Sequence, residues 1–292
     1  MKKVDKQAVY KARGTIAKYF IALGIALNVL GWLIIILNVK SITPFVFLPF
    51  WYGYILLADG INYILKKHSL IINQPKYFLL SLILSLIFWG IFEVYNYFIF
   101  HGWQYMMPPT PRWIKFTFAL LAWATVLPGL LETIALVEIL YARITRKGAQ
   151  AHARQRIISA KLFQAWILII LLLVFADPSN IVLVLSLGFW GAFAMLLDPI
   201  LYLTGKPSLI RKMERGNVNK IIVLLISGYV CGFLWELWNN WAGAKWIYTA
   251  TWLQDKIKIF EMPVRGLLGF GPFAISMYVL WRFSKVILNI KE

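Results

Sequence analysis

Eight apolar stretches dominate this chain: residues 17–39, 44–65, 77–100, 115–141, 161–177, 181–204, 218–241 and 263–288. Crossing a bilayer as a helix takes about 20 such residues, and the fifth stretch is the shortest of the set. Inside lipid every backbone N–H and C=O must be bonded within the protein, so long apolar runs of this kind become helices. The pattern predicts an all-α, polytopic integral membrane protein with eight transmembrane helices. Composition agrees: 61% of residues are hydrophobic, only 14% are charged, and the mean hydropathy is +0.71. A soluble domain carries roughly a quarter of its residues charged. The shortfall excludes disorder, a disulfide scaffold and an ordinary cytosolic enzyme.

The single cysteine, Cys231, leaves no disulfide within the chain. His68, His101 and His152 are far apart, so neither a metal nor a cofactor is expected. Residues 1–18 form a basic tail with no cleavage pattern after the first apolar run, and that run is expected to remain as a span.

The +18 net charge has a membrane explanation. With eight spans, one side receives the amino tail (Lys2 to Lys18), Lys66, Lys67, Lys76, the run from Arg143 to Lys161, the run from Lys206 to Lys220, and Arg282, Lys285 and Lys291. The other side is left with Lys40, Arg112, Lys115, Lys245, Lys256, Lys258 and Arg265. The positive-inside rule then places both termini in the cytoplasm of a cell with this protein in its plasma membrane. The basic residues face anionic lipid head groups, and no nucleic-acid partner is needed to account for them.

The chain also repeats itself. Phe50-Trp51 matches Phe189-Trp190 at an offset of 139, as do Asp59 with Asp198 and Ser69-Leu70-Ile71 with Ser208-Leu209-Ile210. Glu93-Val94-Tyr95-Asn96 matches Glu236-Leu237-Trp238-Asn239 at 143, and Trp103-Gln104-Tyr105 matches Trp246-Ile247-Tyr248 at the same offset. Pro128 matches Pro272 at 144. Two four-helix halves, 1–148 and 149–292, are therefore expected. An even number of spans per half makes them parallel repeats about an axis along the membrane normal.

Ionisable groups inside a bilayer cost about 2.5–3.5 kcal/mol even on lenient scales, which makes Asp59, Glu93, Glu132, Asp198 and Glu236 informative. Glu93 and Glu236 each have an asparagine three residues on, Asn96 and Asn239, on the same helical face. They are the expected acid–base pair, with the amides orienting them; the competing reading is polar glue between helices. Asp59 and Asp198 are secondary candidates, with capping or packing as their alternative. Glu132 is a third, matched by Ser276 in the other half.

Aromatic residues make up 16% of the chain, including 14 Trp. Trp113, Trp252 and Trp281 fit an interfacial belt. Trp89, Tyr95, Trp103 and Tyr105, with Trp235, Trp238, Trp241, Trp246 and Tyr248, cluster instead around the two glutamates and are expected to wall a substrate pocket. The loops 101–114 and 241–263 belong to the outer side. Lys245, Glu261 and Arg265 there suit an anionic head group, and the segment 260–274 predicts a broken helix. No nucleotide loop, zinc spacing or nucleophile elbow occurs. Carboxyls in an aromatic-walled bundle are shared in style with membrane-embedded isoprenoid cyclases, an analogy of chemistry that carries over no residue. The expected function is an intramembrane enzyme acting on a lipid or isoprenoid. The alternatives are a proton-coupled transporter or flippase using the same acids, and a structural or partner-binding membrane protein. The expected partners are membrane lipids and a hydrophobic small molecule.

Overall fold

A computed structural model describes residues 6–145, 181–250 and 257–290. The protein is mostly helical. Helices α1 (Lys6–Ile36), α2 (Phe47–Lys66), the short α3 (Leu70–Asn73), α4 (Pro75–Tyr95), α5 (Arg112–Ala124) and α6 (Val126–Thr145) come first. They are followed by α7 (Ile181–Leu203), the short α8 (Leu209–Glu214), α9 (Asn219–Trp241) and α10 (Phe270–Ile287). Among the described residues five helical segments are long and apolar enough to cross a membrane: Gln7–Ile36, Pro75–Phe100, Arg112–Thr145, Asn219–Trp241 and Val264–Ile287. The expected fifth span, 161–177, lies outside the described residues, as do Trp252 and Lys256.

One expectation needs correcting. The fold is not purely helical, because both aromatic loops form short β-ribbons. Strand β1 (Trp103–Met106) pairs antiparallel with β2 (Lys245–Tyr248), and β3 (Lys258–Ile259) pairs with β4 (Met262–Pro263). Apolar length fixes helices inside lipid, whereas the Trp-x-Tyr segments carry a period of two, the side-chain alternation of a strand.

The chain divides into two compact units. Residues 1–139 and 234–249 form the first, and residues 140–233 and 250–292 form the second. In the first unit α1 and α2 approach through glycine. A Cβ on Gly24 would lie 2.5 Å from the Gly53 carbonyl oxygen, and one on Gly60 would lie 2.7 Å from the Ala17 carbonyl oxygen. Small residues at such a contact let backbones pack closely where lipid supplies no hydrophobic drive.

The boundary between α5 and α6 follows from Pro128. Its ring has no N–H and collides with the preceding turn. The ladder bond expected from Leu127 N–H to the Trp123 carbonyl is replaced by Ser85 of α4. The Ser85 hydroxyl donates to Trp123 O at 2.6 Å and accepts from Leu127 N at 2.9 Å. Ser85 thereby bridges the break. A π-helical turn, Asn96–Phe100, ends α4, closed by His101 at φ 47°.

In the second unit the segment 260–274 is broken as its Pro and Gly content predicts: β4 leads into a 3-10 turn, Val264–Gly269, and then α10. A Cβ on Gly228 would sit 2.3 Å from the Phe270 carbonyl oxygen, so α9 and α10 touch there backbone to backbone.

Candidate functional site

The first unit brings Glu93 near the end of α4 and Glu236 near the end of α9 under one β-ribbon. The register pairs Trp103 with Tyr248, Gln104 with Ile247, Tyr105 with Trp246 and Met106 with Lys245. Directly opposed residues share a face and successive residues alternate. Trp103, Tyr105, Trp246 and Tyr248 therefore occupy one face, and Gln104, Met106, Lys245 and Ile247 the other. The pairing has a local two-fold through Gln104 and Ile247.

Each tyrosine reaches the glutamate 12 residues before it. The Tyr105 hydroxyl donates to Glu93 Oε1, which also accepts from Trp89 Nε1 at 2.8 Å. The Tyr248 hydroxyl donates to Glu236 Oε1 at 2.6 Å and accepts from Trp246 Nε1 at 3.0 Å. Glu93 is half-buried and Glu236 fully buried. Desolvation first, then the charge of the adjacent glutamate, holds both phenols well above the ordinary range. Tyr105 leaves about half its surface exposed at 51% while its hydroxyl turns inward to Glu93. Both tyrosines remain neutral donors at physiological pH.

The asparagines do something other than orient the carboxyls. Asn96 Nδ2 donates to Trp103 O at 3.0 Å, and its Oδ1 accepts from Gly102 N at 2.8 Å and Trp103 N at 3.2 Å. Asn239 repeats this on the other strand: Nδ2 to Trp246 O at 3.0 Å, and Oδ1 from Trp246 N at 2.9 Å. Each side-chain amide acts as one rung of a sheet and fastens a strand to the helix end that carries the glutamate.

The aromatic set is continuous. Trp235 lies 5.0 Å from Trp89, 5.7 Å from Trp246 and 5.8 Å from Trp51, ring centre to ring centre. Trp89 and Trp103 are 6.1 Å apart. Trp238 stacks flat on Phe50 at 5.3 Å and meets Trp51 edge-on at 5.0 Å. Phe47 packs against Trp246 at 5.5 Å. Phe47 and Trp51 of α2 are thus members of the cluster that sequence reasoning left out; Trp51 stood out there only as half of a repeated pair. Trp51 Nε1 is a buried donor with no acceptor among the described residues. Tyr95 packs against Phe100 of the π turn at 5.7 Å. Lys245 is on the other face of the ribbon, and Arg265 is an exposed residue of the second unit.

The two aspartates hold short helices. Asp59 Oδ1 accepts from Ile71 N at 2.6 Å and Oδ2 from the Ser69 hydroxyl at 2.9 Å, at the start of α3. In the second unit Asp198 accepts from Leu209 N at 2.8 Å and Ile210 N at 2.9 Å, at the start of α8. Both serve donors that a helix start leaves unpaired. Glu132 lies against Asp59 and accepts from Asn62 Nδ2 at 2.6 Å.

Comparison with known protein families, curated proteins and solved structures finds no match. What the fold and site define is a class: a helical protein with apolar helices suited to a membrane, carrying two phenol-bound glutamates beneath an aromatic ribbon.

Proposed function

We propose that this chain is an intramembrane enzyme that acts on a lipid or isoprenoid substrate by carboxyl acid–base or carbocation chemistry. The observation that carries the proposal is the paired carboxyl–phenol bond, Glu93 with Tyr105 and Glu236 with Tyr248, set among tryptophan faces. One carboxyl, in its acid form, gives a proton to a substrate double bond. A C–H bond forms and an adjacent carbon becomes cationic. Indole faces stabilise that cation through their quadrupole, most strongly where water is excluded. The other glutamate, as carboxylate, takes a proton from a neighbouring carbon and a new double bond closes. One C–H bond forms and one breaks, so no oxidant or co-reactant is needed. The tyrosines hold each carboxyl in place, and Trp51 Nε1 is available to a polar atom of the substrate.

The same reading takes the chain as eight spans in two parallel repeats in the plasma membrane, with both termini cytoplasmic. Its support is the recurrence of the Glu–Tyr, Asn–strand and Asp–helix-start bonds at matching positions, together with the two-fold register of the ribbon. A proton-coupled transporter or flippase is the second reading, favoured by the buried pair Asp59 and Glu132.

The test is Glu93→Gln and Glu236→Gln in protein reconstituted with lipid and isoprenoid extracts, with products read by mass spectrometry. Gln keeps shape and hydrogen bonding but carries no titratable proton. Either variant should lose turnover with a nearly unchanged melting temperature. Gln variants that turn over like wild type would sink the enzyme reading.

A further inference from the structure

We infer that Asp59, Asn62 and Glu132 form a second site, which binds one monovalent cation, either a proton or a sodium ion. It stands independently of the enzyme reading, since none of the three residues belongs to the glutamate–tyrosine ribbon. All three are completely or almost completely buried, at 0%, 0% and 1% exposure. The two carboxyls lie against each other. Among the described residues the charge acting on Glu132 is that of Asp59, and neither acid is ion-paired with a lysine or arginine. Among the described residues the groups that hydrogen-bond to them, apart from each other, are neutral: Ser69 and the backbone of Leu70, Ile71 and Ile72 around α3, and Asn62 of α2. Two adjacent carboxylates in such surroundings repel each other and are tolerated only with a compensating positive charge.

A second observation points to the same ligand. Asn62 spends its amide protons on Glu132, donating to the backbone O at 3.0 Å and to Oε2 at 2.6 Å. This leaves two buried acceptors, Asn62 Oδ1 and Glu132 Oε1, with no donor among the described residues. Buried oxygens left in this state are costly. Acceptors without donors beside an uncompensated acid pair call for a cation. Both Asp59 oxygens already take protein donors, and what remains is far too few oxygens for the six to eight that calcium takes. A single charge fits: a proton between the carboxyls, or sodium on the bare oxygens.

The experiment is infrared spectroscopy and thermal unfolding of the full-length protein in detergent at pH 7. It is run in choline chloride and then in sodium chloride at equal ionic strength. A bound proton gives a protonated-carboxyl stretching band that Glu132→Gln diminishes and that sodium leaves in place. Bound sodium instead raises the melting temperature saturably in wild type, and Glu132→Gln abolishes that rise. Should Glu132→Gln fail to fold, Asp59→Asn gives the same reading, because it removes the second charge from the pair. Wild-type protein with neither a protonated-carboxyl band nor a sodium-dependent shift overturns the proposal, as does a band that both variants leave intact.

Discussion

Asn239→Ala tests whether the ribbon depends on side-chain amides. Asn239 is fully buried, and its amide makes both bonds to Trp246, to the carbonyl at 3.0 Å and from the N–H at 2.9 Å. Alanine removes both, leaving a backbone donor and a backbone acceptor without partners. Each such buried group costs about 1–3 kcal/mol, so the expected loss is roughly 2–6 kcal/mol. For a chain of this size about 1 kcal/mol moves Tm by roughly 2–4 °C. The melting temperature in detergent, followed by near-ultraviolet circular dichroism of the tryptophans, should fall accordingly. Asn96→Ala should act in the same direction through Trp103 and Gly102. The double variant should cost less than the sum, because both residues fasten one ribbon and sites sharing a structure do not add. An Asn239→Ala protein that melts within a degree of wild type, with unchanged tryptophan dichroism, would refute the reasoning.

Other outcomes follow from the same geometry. Tyr105 and Tyr248 have phenols held above their unfolded value. Their contribution is fully present below about pH 10, the unfolded phenol pKa, and is lost as pH rises further, because the unfolded state then binds fewer protons. An ultraviolet phenolate titration should show both ionising after the other tyrosines, and Tyr248→Phe should remove one late-titrating group. Ser85→Ala should leave Leu127 N–H and Trp123 O unbridged at the α5–α6 break and cost about 1–3 kcal/mol for each of the two, measured as chemical stability in detergent. Reporter fusions after residues 70, 150, 212 and 290 should read cytoplasmic, and fusions near 108 and 252 external. An external reading at 150 would break the eight-span topology.

Sequence alone determined the helices that apolar length dictates. The observed bounds of α2, α4, α7, α9 and α10 lie within a few residues of the stretches read from hydropathy, apart from the 3-10 turn that precedes α10. The reason is local: in lipid a segment satisfies its own backbone, so a long apolar run carries its fold within itself. The matching sequence segments likewise single out Glu93, Glu236, the asparagines and the Trp-x-Tyr elements. Tertiary structure decided what those groups touch. That Asn96 fastens a strand and does not orient Glu93 depends on the chain folding back from helix to ribbon. The pairing of β1 with β2 joins segments more than a hundred residues apart, which no local period encodes. The meeting of Glu132 with Asp59 and Asn62, and the place of Phe47 and Trp51 in the aromatic wall, came likewise from helix packing. Hydropathy reports whether a side chain leaves water, but the partner it finds is set by which helices pack together, a property of the whole fold.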